Sequence, residues 1–201
     1  MLKDFLNGVR VLDLSQFLPG PFATQMLADL GADVLKVEPP AGDPQRRLDS
    51  ITGKPGPEDS RSAYYDVINA GKSVVAIDLK SEDGKKAFEA LLRAADVMLE
   101  SYRPGVLERL GFGPDRLKAL NPGLVHCALS GYGQTGPNRL RAGHDINYVA
   151  STGALGASGI PEKPVMGWPP AADYASALQA ALTMVGALVG RARTGEGAFL
   201  D

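Results

Sequence analysis

Residues 9–14 carry the sequence VRVLDL, a short run in which aliphatic residues predominate. Runs of this length and composition are typical of buried strands. Gly20-Pro21 then predicts a turn, residues 22–30 have the spacing of a helix that ends at Gly31, and residues 32–37 repeat the strand pattern. Proline suits the first turn of a helix, and glycine suits the position just after the last turn. The chain is therefore predicted to open with a strand, a helix and a second strand.

The same alternation continues along the rest of the chain. Further strands are predicted at residues 73–79, 96–100 and 124–130, and helices at residues 82–93, 104–110, 114–120, 144–153 and 174–193. Ser81 is expected to cap the helix from residue 82, because a serine hydroxyl accepts hydrogen bonds from the free N–H groups of a first turn. Five strands separated by helices predict an α/β fold with a Rossmann-like open, mostly parallel sheet and flanking helices.

Two segments are predicted to be loops, and the last residues are predicted to begin another strand. Residues 39–61 are rich in proline, glycine, aspartate and arginine without apolar periodicity, so we expect a long surface loop there. Residues 131–143 form a second, glycine-rich polar loop. Residues 198–201 have the pattern of a strand that is only starting. We therefore expect either a part of a longer polypeptide or a frayed C-terminus.

Composition excludes several classes of protein. The chain has 201 residues, of which 44% are hydrophobic and 22% charged, as expected of a globular protein. Its formal charge is −2, so no overall positive field attracts nucleic acid or an anionic membrane. One cysteine and two histidines predict neither a disulfide nor a metal site. Because residues 1–10 lack the pattern of a secretory signal, we expect a cytoplasmic, metal-free protein.

The longest apolar stretch lies at residues 174–190 and is made largely of alanine and glycine. A membrane span needs about 20 strongly apolar residues. We therefore expect a helix that is buried against another helix and no contact with a membrane.

Several polar residues stand where a fold of this class places chemistry. Asp173 lies between a proline-containing segment and the apolar helix, where a carboxylate is either a helix cap or a catalytic group. His144 and Asp145 begin another predicted helix, where a histidine is either structural or catalytic. Lys72 precedes a strand, a position that is usually open to solvent. Arg103 follows the carboxyl end of a strand, where α/β sheets bind ligands.

Six motifs, in this order along the chain, give it a resemblance to a known family. They are LNGVRVLDL at residues 6–14, Gly20-Pro21, LGADVLKVE at residues 30–38, YRPG at residues 102–105, LSGYGQTGP at residues 129–137 and GHDINY at residues 143–148. Together they resemble the family III CoA-transferases, a superfamily that includes formyl-CoA transferase, carnitine CoA-transferase and α-methylacyl-CoA racemase. The resemblance covers essentially all 201 residues.

The resemblance implies that this sequence is the N-terminal half of a longer chain. Residues 1–201 would form the large, CoA-binding Rossmann-like domain, and the small domain of the family would be missing. It further implies acyl-CoA and carboxylic acid substrates, with coenzyme A as substrate and no permanently bound cofactor. Full-length relatives form an interlocked homodimer, so a homodimer is expected.

The same resemblance assigns site residues by position in the motifs. Asp173 falls where the family carries its catalytic aspartate, and His144 where the racemase branch carries its catalytic histidine. Positions that line the CoA site in relatives correspond to Gln16, Leu18, Lys72, Ser101, Tyr102, Arg103, Arg109, Asp145 and Tyr148.

Two departures from the family pattern bear on this site. Many members have glycines directly after the aspartate, where this chain has Tyr174-Ala175-Ser176, which narrows the pocket or stiffens a mobile loop. A basic residue often found after the second strand is replaced by Pro39-Pro40. Arg46 and Arg47 are candidates to supply the missing phosphate contact.

Three functions stay open from the sequence. One is transfer of CoA between carboxylic acids through an aspartyl-CoA intermediate on Asp173. A second is racemisation of a 2-methylacyl-CoA, with His144 and Asp173 as the two bases that remove and return the α-proton. The third is a catalytically incomplete fragment that only binds CoA.

Overall fold

The computed structural model describes residues 4–48, 62–160 and 162–201. Seven α-helices and eight strands lie in these ranges. In chain order they are β1 (Arg10–Leu14), α1 (Pro19–Asp29), β2 (Asp33–Glu38), α2 (Ala63–Ile68), β3 (Ser73–Ala76), α3 (Glu82–Ala94), β4 (Val97–Glu100), α4 (Val106–Arg109), α5 (Pro114–Leu120), β5 (Val125–Ala128), α6 (Asp145–Ser151), β6 (Gly159–Ile160), β7 (Lys163–Pro164), α7 (Ala171–Thr194) and β8 (Ala198–Leu200). Short 3-10 helices occupy Pro44–Arg47 and Ala154–Ala157.

Six of these strands form one parallel sheet in the order β3-β2-β1-β4-β5-β8. Leu12 of β1 is in register with Leu35 of β2 and with Met98 of β4, so β1 is central. The expected open parallel sheet is confirmed, and residues 198–200 add a sixth strand that pairs with β5. The strand order reverses between β1 and β4, which is the switch point at which sheets of this class bind ligands.

Helices cover both faces of the sheet. On one face α1 and α7 pack over a core that includes Val11, Leu27, Val97, Ala177 and Met184. On the other face α3 and α5 pack over a second core that includes Leu12, Phe88, Leu92, Met98 and Phe112. Successive side chains of a strand point to opposite faces, so neighbours such as Val11 and Leu12 belong to different cores.

Most predicted elements form, with shifted ends. Ser81 caps α3 as expected, since its hydroxyl accepts a hydrogen bond from the Gly84 N–H. The expected turn at Gly20-Pro21 is wrong, because α1 begins at Pro19 and includes both residues in its first turn. Likewise α7 begins at Ala171, which places Asp173 inside the first turn of the helix rather than before it.

The expectation of one long loop over residues 39–61 is wrong at its start. Residues 44–47 form a 3-10 helix, and Asp43, whose carboxylate accepts a hydrogen bond from the Gln45 N–H, is buried. Residues 49–61 lie outside the described residues. The sequence also gave no signal for α2 or for the short β6–β7 hairpin, since each has too few residues to show a period.

The length and apolar composition of α7 would allow it to cross a membrane. Core helices of water-soluble proteins often have the same length and composition, so this is weak evidence for a span. One face packs against α1 and the sheet through Ala177, Ala180 and Met184. The opposite face exposes Leu178 and Leu182. The expected burial against another helix therefore holds for one face of α7 only.

A cluster of charged side chains is buried between β1, β2 and α1. Asp13 of β1 and Lys36 of β2 are in register, and neither side chain is exposed. The Lys72 ammonium donates to the Asp13 carboxylate at 2.8 Å, and the Thr24 hydroxyl donates to it at 2.6 Å. Burial alone raises the pKa of Asp13, but Lys72 and Lys36 outweigh it and hold this pKa well below its usual range. Asp13 is therefore a buried carboxylate ion.

Replacing Asp13 by alanine is expected to destabilise the protein strongly, because Lys72 would be left as a buried cation without its carboxylate. Removing one partner of a buried ion pair costs about 3–5 kcal/mol. Urea denaturation measures this loss of unfolding free energy. The control is Asp33→Ala on the exposed end of β2, which should change stability by less than about 0.5 kcal/mol. A loss of only about 1 kcal/mol for Asp13→Ala, typical of surface pairs, would contradict the buried ion pair.

Candidate active site

A cleft of about 480 Å³ opens at the carboxyl edge of the sheet. Its floor is formed by the segments that follow β1, β4 and β5, and the N-terminal ends of α6 and α7 close it from above. The cleft thus lies at the switch point between β1 and β4. Seven of the residues predicted for the site line it, namely Gln16, Ser101, Tyr102, Arg103, His144, Tyr148 and Asp173.

The other four predicted site residues are not among the residues that line the cleft. Leu18 is buried directly before α1, and Arg109 is exposed on α4. Lys72 is not open to solvent as expected of a residue before a strand, because its side chain is buried against Asp13. Asp145 is buried beneath the first turn of α7. Roles for these four residues in binding CoA stay predictions.

Asp173 is half-buried at the wall of the cleft, in the first turn of α7. Burial, and then the nearby Asp145 carboxylate, raise the pKa of Asp173 to about 6, although His144 acts in the opposite direction. Its carboxylate is thus ionised at neutral pH but destabilised by its surroundings. A carboxylate of this kind can attack an electrophilic carbonyl or accept a proton.

Asp145 joins the two helices that cover the cleft. One of its carboxylate oxygens accepts hydrogen bonds from the backbone N–H groups of Ala172 at 2.7 Å and of Asp173 at 3.0 Å. The first N–H groups of a helix have no partner within the helix, so a carboxylate from another element satisfies them well. This carboxylate holds the first turn of α7 against the start of α6.

His144 is the residue just before α6 and lines the cleft. Its backbone N–H donates to the Asn147 side chain at 2.9 Å, which closes the first turn of α6. Its ring meets the Phe17 ring edge-on, with centroids 6.1 Å apart. His144 and Asp173 therefore lie on the same cleft, contributed by two different helices.

Tyr148 of α6 packs against the glycine-rich loop. Its hydroxyl donates to the Gly143 carbonyl at 2.8 Å, and its ring meets the Tyr132 ring edge-on. A Cβ atom at Gly131 would overlap the Tyr148 hydroxyl, and one at Gly143 would lie 2.8 Å from the Tyr148 ring. The glycines of this loop are thus needed for the close approach of Tyr148.

The loop after β1 is held by the buried charge cluster. The Lys36 ammonium donates to the Ser15 carbonyl at 2.8 Å and pairs with the Asp43 carboxylate at 3.1 Å. Phe17 in the same loop has φ of 62°, a left-handed conformation that side chains rarely adopt. Such a conformation persists only where its surroundings hold it. The cluster therefore supports the part of the cleft wall that faces His144.

The sequence analysis missed two cationic residues of the site. Arg139 and Arg141 line the cleft from the glycine-rich loop after β5, and the Arg141 guanidinium lies 5.9 Å from the Tyr132 ring centroid. The sequence does place both arginines in the loop after a predicted strand, where α/β sheets bind ligands, and this could have identified them. With Arg103 they give the cleft three cations. Among the described residues, no group of three or more His, Cys, Asp or Glu side chains is arranged to hold a metal ion.

Tyr174, for which the resemblance led us to expect a narrower pocket or a stiffer loop, is held from two sides. Its ring meets the Phe22 ring of α1 edge-on at 5.1 Å, and its hydroxyl lies 3.3 Å from the Tyr64 hydroxyl of α2. The backbone that carries Asp173 is therefore fixed to α1 and α2 by the next residue.

The fold and this cleft define a doubly wound α/β protein with a ligand site at its switch point. The sequence matches CoA-transferase family III over residues 6–201, and the chain belongs to this family. The matched residues include all six motifs on which the resemblance was based.

Similar enzymes in this family act on different acyl groups. The chain is 37% identical over 202 residues to the acetyl-CoA:oxalate CoA-transferase of Acetobacter aceti. The aligned region covers 99% of this chain and 50% of that enzyme. It is 36% identical over 206 residues to the succinate–glutarate CoA-transferase of Agrobacterium fabrum, again covering 99% of this chain and 50% of that enzyme. The chain therefore spans about half the length of these curated relatives.

Solved structures agree with the fold. A CAIB/BAIF family protein from Brucella suis matches with a TM-score of 0.89 and 35% identity, covering 99% of this chain and 53% of that one. A hypothetical protein from Mycobacterium tuberculosis matches with a TM-score of 0.87 and 38% identity, covering 97% of this chain and 53% of that one.

The substitution Gly131→Ala is expected to destabilise the protein by about 1–3 kcal/mol, because the new methyl group overlaps Tyr148. Thermal denaturation measures the loss. Gly156→Ala is the matched control, since a Cβ there has no neighbour within 4 Å. In a double-mutant cycle with Tyr148→Ala, the cost of Gly131→Ala should largely disappear. Purely additive costs would show that Tyr148 is not what the methyl group meets.

Proposed function

We propose that the chain carries the CoA-binding and nucleophilic part of a CoA-transferase, with Asp173 as the nucleophile. The observation that carries this proposal is the Asp173 carboxylate, ionised and half-buried at a cleft on the switch point of the sheet. Acyl-CoA and a carboxylic acid are the substrates. The likeness to enzymes that use oxalate, succinate and glutarate supports short dicarboxylic acids as the first acids to assay.

The first half of the reaction moves CoA from the donor to the enzyme. The Asp173 carboxylate attacks the thioester carbonyl, the carbon–sulfur bond breaks, and a mixed anhydride and CoA thiolate are formed. The thiolate then attacks the Asp173 carbonyl of the anhydride. The donor acid leaves as a carboxylate, and Asp173 carries CoA as a thioester.

The second half repeats these two steps in reverse with the acceptor. The acceptor carboxylate attacks the Asp173 thioester, which releases CoA thiolate and forms a second mixed anhydride. The thiolate attacks the acceptor carbonyl of this anhydride, so the new acyl-CoA leaves and the Asp173 carboxylate is restored. No proton is consumed overall, and hydrolysis is avoided only if water is kept from the thioester.

The cations of the cleft suit a substrate with several negative charges. Arg103, Arg139 and Arg141 line the cleft, and guanidinium groups bind phosphates and carboxylates through charge-assisted hydrogen bonds. We assign them to the phosphates of CoA. Arg46 is not a candidate for the phosphate contact that the resemblance expects after β2, because it forms a bidentate ion pair with the Glu38 carboxylate.

Racemisation of a 2-methylacyl-CoA is the second candidate, favoured by one observation. His144, just before α6, lines the same cleft as Asp173 of α7, and two bases that act on one α-carbon have to share one site. A third possibility is that the chain binds CoA without turnover. The homodimer expected from the resemblance and the cytoplasmic location expected from the sequence stay predictions. Sedimentation of the purified protein tests the homodimer.

Asp173→Asn is expected to abolish CoA transfer, because an amide nitrogen cannot form the mixed anhydride. The assay follows acyl exchange between acetyl-CoA or succinyl-CoA and oxalate, succinate or glutarate. Mass spectrometry of wild-type protein incubated with acyl-CoA should show covalent CoA on Asp173. Asp33→Asn, an exposed aspartate on β2, is the control and should keep full activity. Transfer by the Asp173→Asn protein would refute the assignment.

His144→Ala separates the two chemistries. If the wild-type protein is a transferase, we expect it to show no α-proton exchange in heavy water. If it does exchange the α-proton, loss of this exchange in His144→Ala with CoA transfer unchanged would support a racemase base at this position. Both are read on the same acyl-CoA, by mass spectrometry for deuterium and by chromatography for CoA transfer. Equal loss of both activities would mean that His144 acts on the structure of the cleft.

A further inference from the structure

The family resemblance assigned Asp145 to the CoA site, but its surroundings indicate a different task. The side chain is buried, and the residue is not among those that line the cleft. Its Oδ1 atom accepts from two consecutive backbone N–H groups of α7, those of Ala172 and Asp173. One oxygen of this carboxylate is therefore bound to the protein backbone rather than to a ligand in the cleft.

We propose that Asp145 is the positioning residue of Asp173. Its two hydrogen bonds to the N–H groups of Ala172 and Asp173, here called the clasp, set the place and the reactivity of the nucleophile, and Asp145 does not touch the substrate. The effect on reactivity rests on the proposed function of Asp173, whereas the clasp itself is independent of it. No other acceptor for these two N–H groups is found among the described residues.

The same contact also links the segment that carries His144 to the segment that carries Asp173. His144 directly precedes Asp145, so the backbone that carries His144 and the backbone that carries Asp173 meet at one carboxylate. The N–H groups at the start of a helix carry partial positive charge, which compensates the buried Asp145 carboxylate. In contrast to Asp145, the Asp173 carboxylate accepts no hydrogen bond in the described part of the chain.

The second effect of Asp145 is electrostatic. Its negative charge lies close to Asp173 in a half-buried site and disfavours the charged form of that residue. A less stable carboxylate is a stronger nucleophile. Other groups also face Asp173 and must be held constant in any test of its titration; they are His144 and Tyr148 from the α6 region, Tyr64 from α2, the adjacent Tyr174, and the cleft residues Arg103, Arg139 and Arg141.

Asp145→Asn and Asp145→Ala separate the two effects. Asparagine keeps an oxygen that accepts both N–H bonds but loses the charge, whereas alanine loses the bonds and the charge. The probe is the carboxyl carbon of Asp173, followed by NMR in protein labelled with ¹³C-aspartate and assigned with Asp173→Asn. Amide hydrogen exchange at residues 172 and 173 reports the clasp. Asp115→Asn, in the first turn of α5, is the matched control.

In the wild-type protein the midpoint for Asp173 should lie at about 6. In Asp145→Asn we expect the midpoint to fall by on the order of one pH unit, with amide exchange at residues 172 and 173 close to wild type. In Asp145→Ala we expect the midpoint to fall and exchange at these two amides to accelerate at least about tenfold, the factor for about 1.4 kcal/mol. Asp115→Asn should change neither.

Calorimetric titration with free CoA tests the alternative role. Unchanged CoA affinity in Asp145→Asn, together with the shifted midpoint, supports the positioning role. Lost CoA affinity with an unshifted midpoint overturns it and makes Asp145 a CoA contact. Unchanged exchange at residues 172 and 173 in Asp145→Ala also overturns the clasp. If Asp145→Ala does not fold, the Asp145→Asn midpoint alone decides.

These measurements do not depend on turnover, so they stand even if the protein transfers no CoA. Where transfer is observed, the acid limb of its pH profile should move to lower pH in Asp145→Asn, because Asp173 then ionises earlier. A profile that keeps its wild-type limb in this variant would contradict the proposal.

Discussion

The buried Asp13 carboxylate is the constraint on which the rest of this structure depends. It lies on the central strand β1 without exposure to water, so its charge has to be matched by the protein. Lys36 comes from β2, Lys72 from the segment before β3, and Thr24 from α1. One carboxylate thus links β1 to β2, to the segment before β3 and to the helix that covers them. Removing either lysine leaves a buried carboxylate without its ion-pair partner, in a place where hydration cannot replace it.

The same cluster reaches into the cleft. Lys36 binds the Ser15 carbonyl, and Asp43, its other partner, comes from the segment after β2. The loop after β1 is fixed between these contacts, with Phe17 in a conformation that needs such support. A ligand at the switch point therefore meets a preformed wall, which lowers the entropic cost of binding.

The opposite wall depends on a second buried carboxylate. Asp145 joins the starts of α6 and α7, and Tyr174 fixes the next residue of α7 against Phe22 and Tyr64. Asp173 lies between these two contacts, where its backbone is held and its carboxylate is half-buried. A glycine at position 174 would lose the aromatic contacts and leave this turn to Asp145 alone. The two contacts of Tyr174 thus stiffen the turn that carries Asp173.

The sequence by itself determined the parallel α/β sheet, because strand and helix periods, helix caps and proline and glycine signals are local properties of the chain. Its motifs also pointed to Asp173, His144 and the residues after β1 and β4. Only the tertiary structure decided what Lys72 and Asp145 do. Lys72 meets a carboxylate 59 residues away, and Asp145 meets N–H groups 27 and 28 residues away. Burial and partners at such separations arise from packing, so no local pattern could show them.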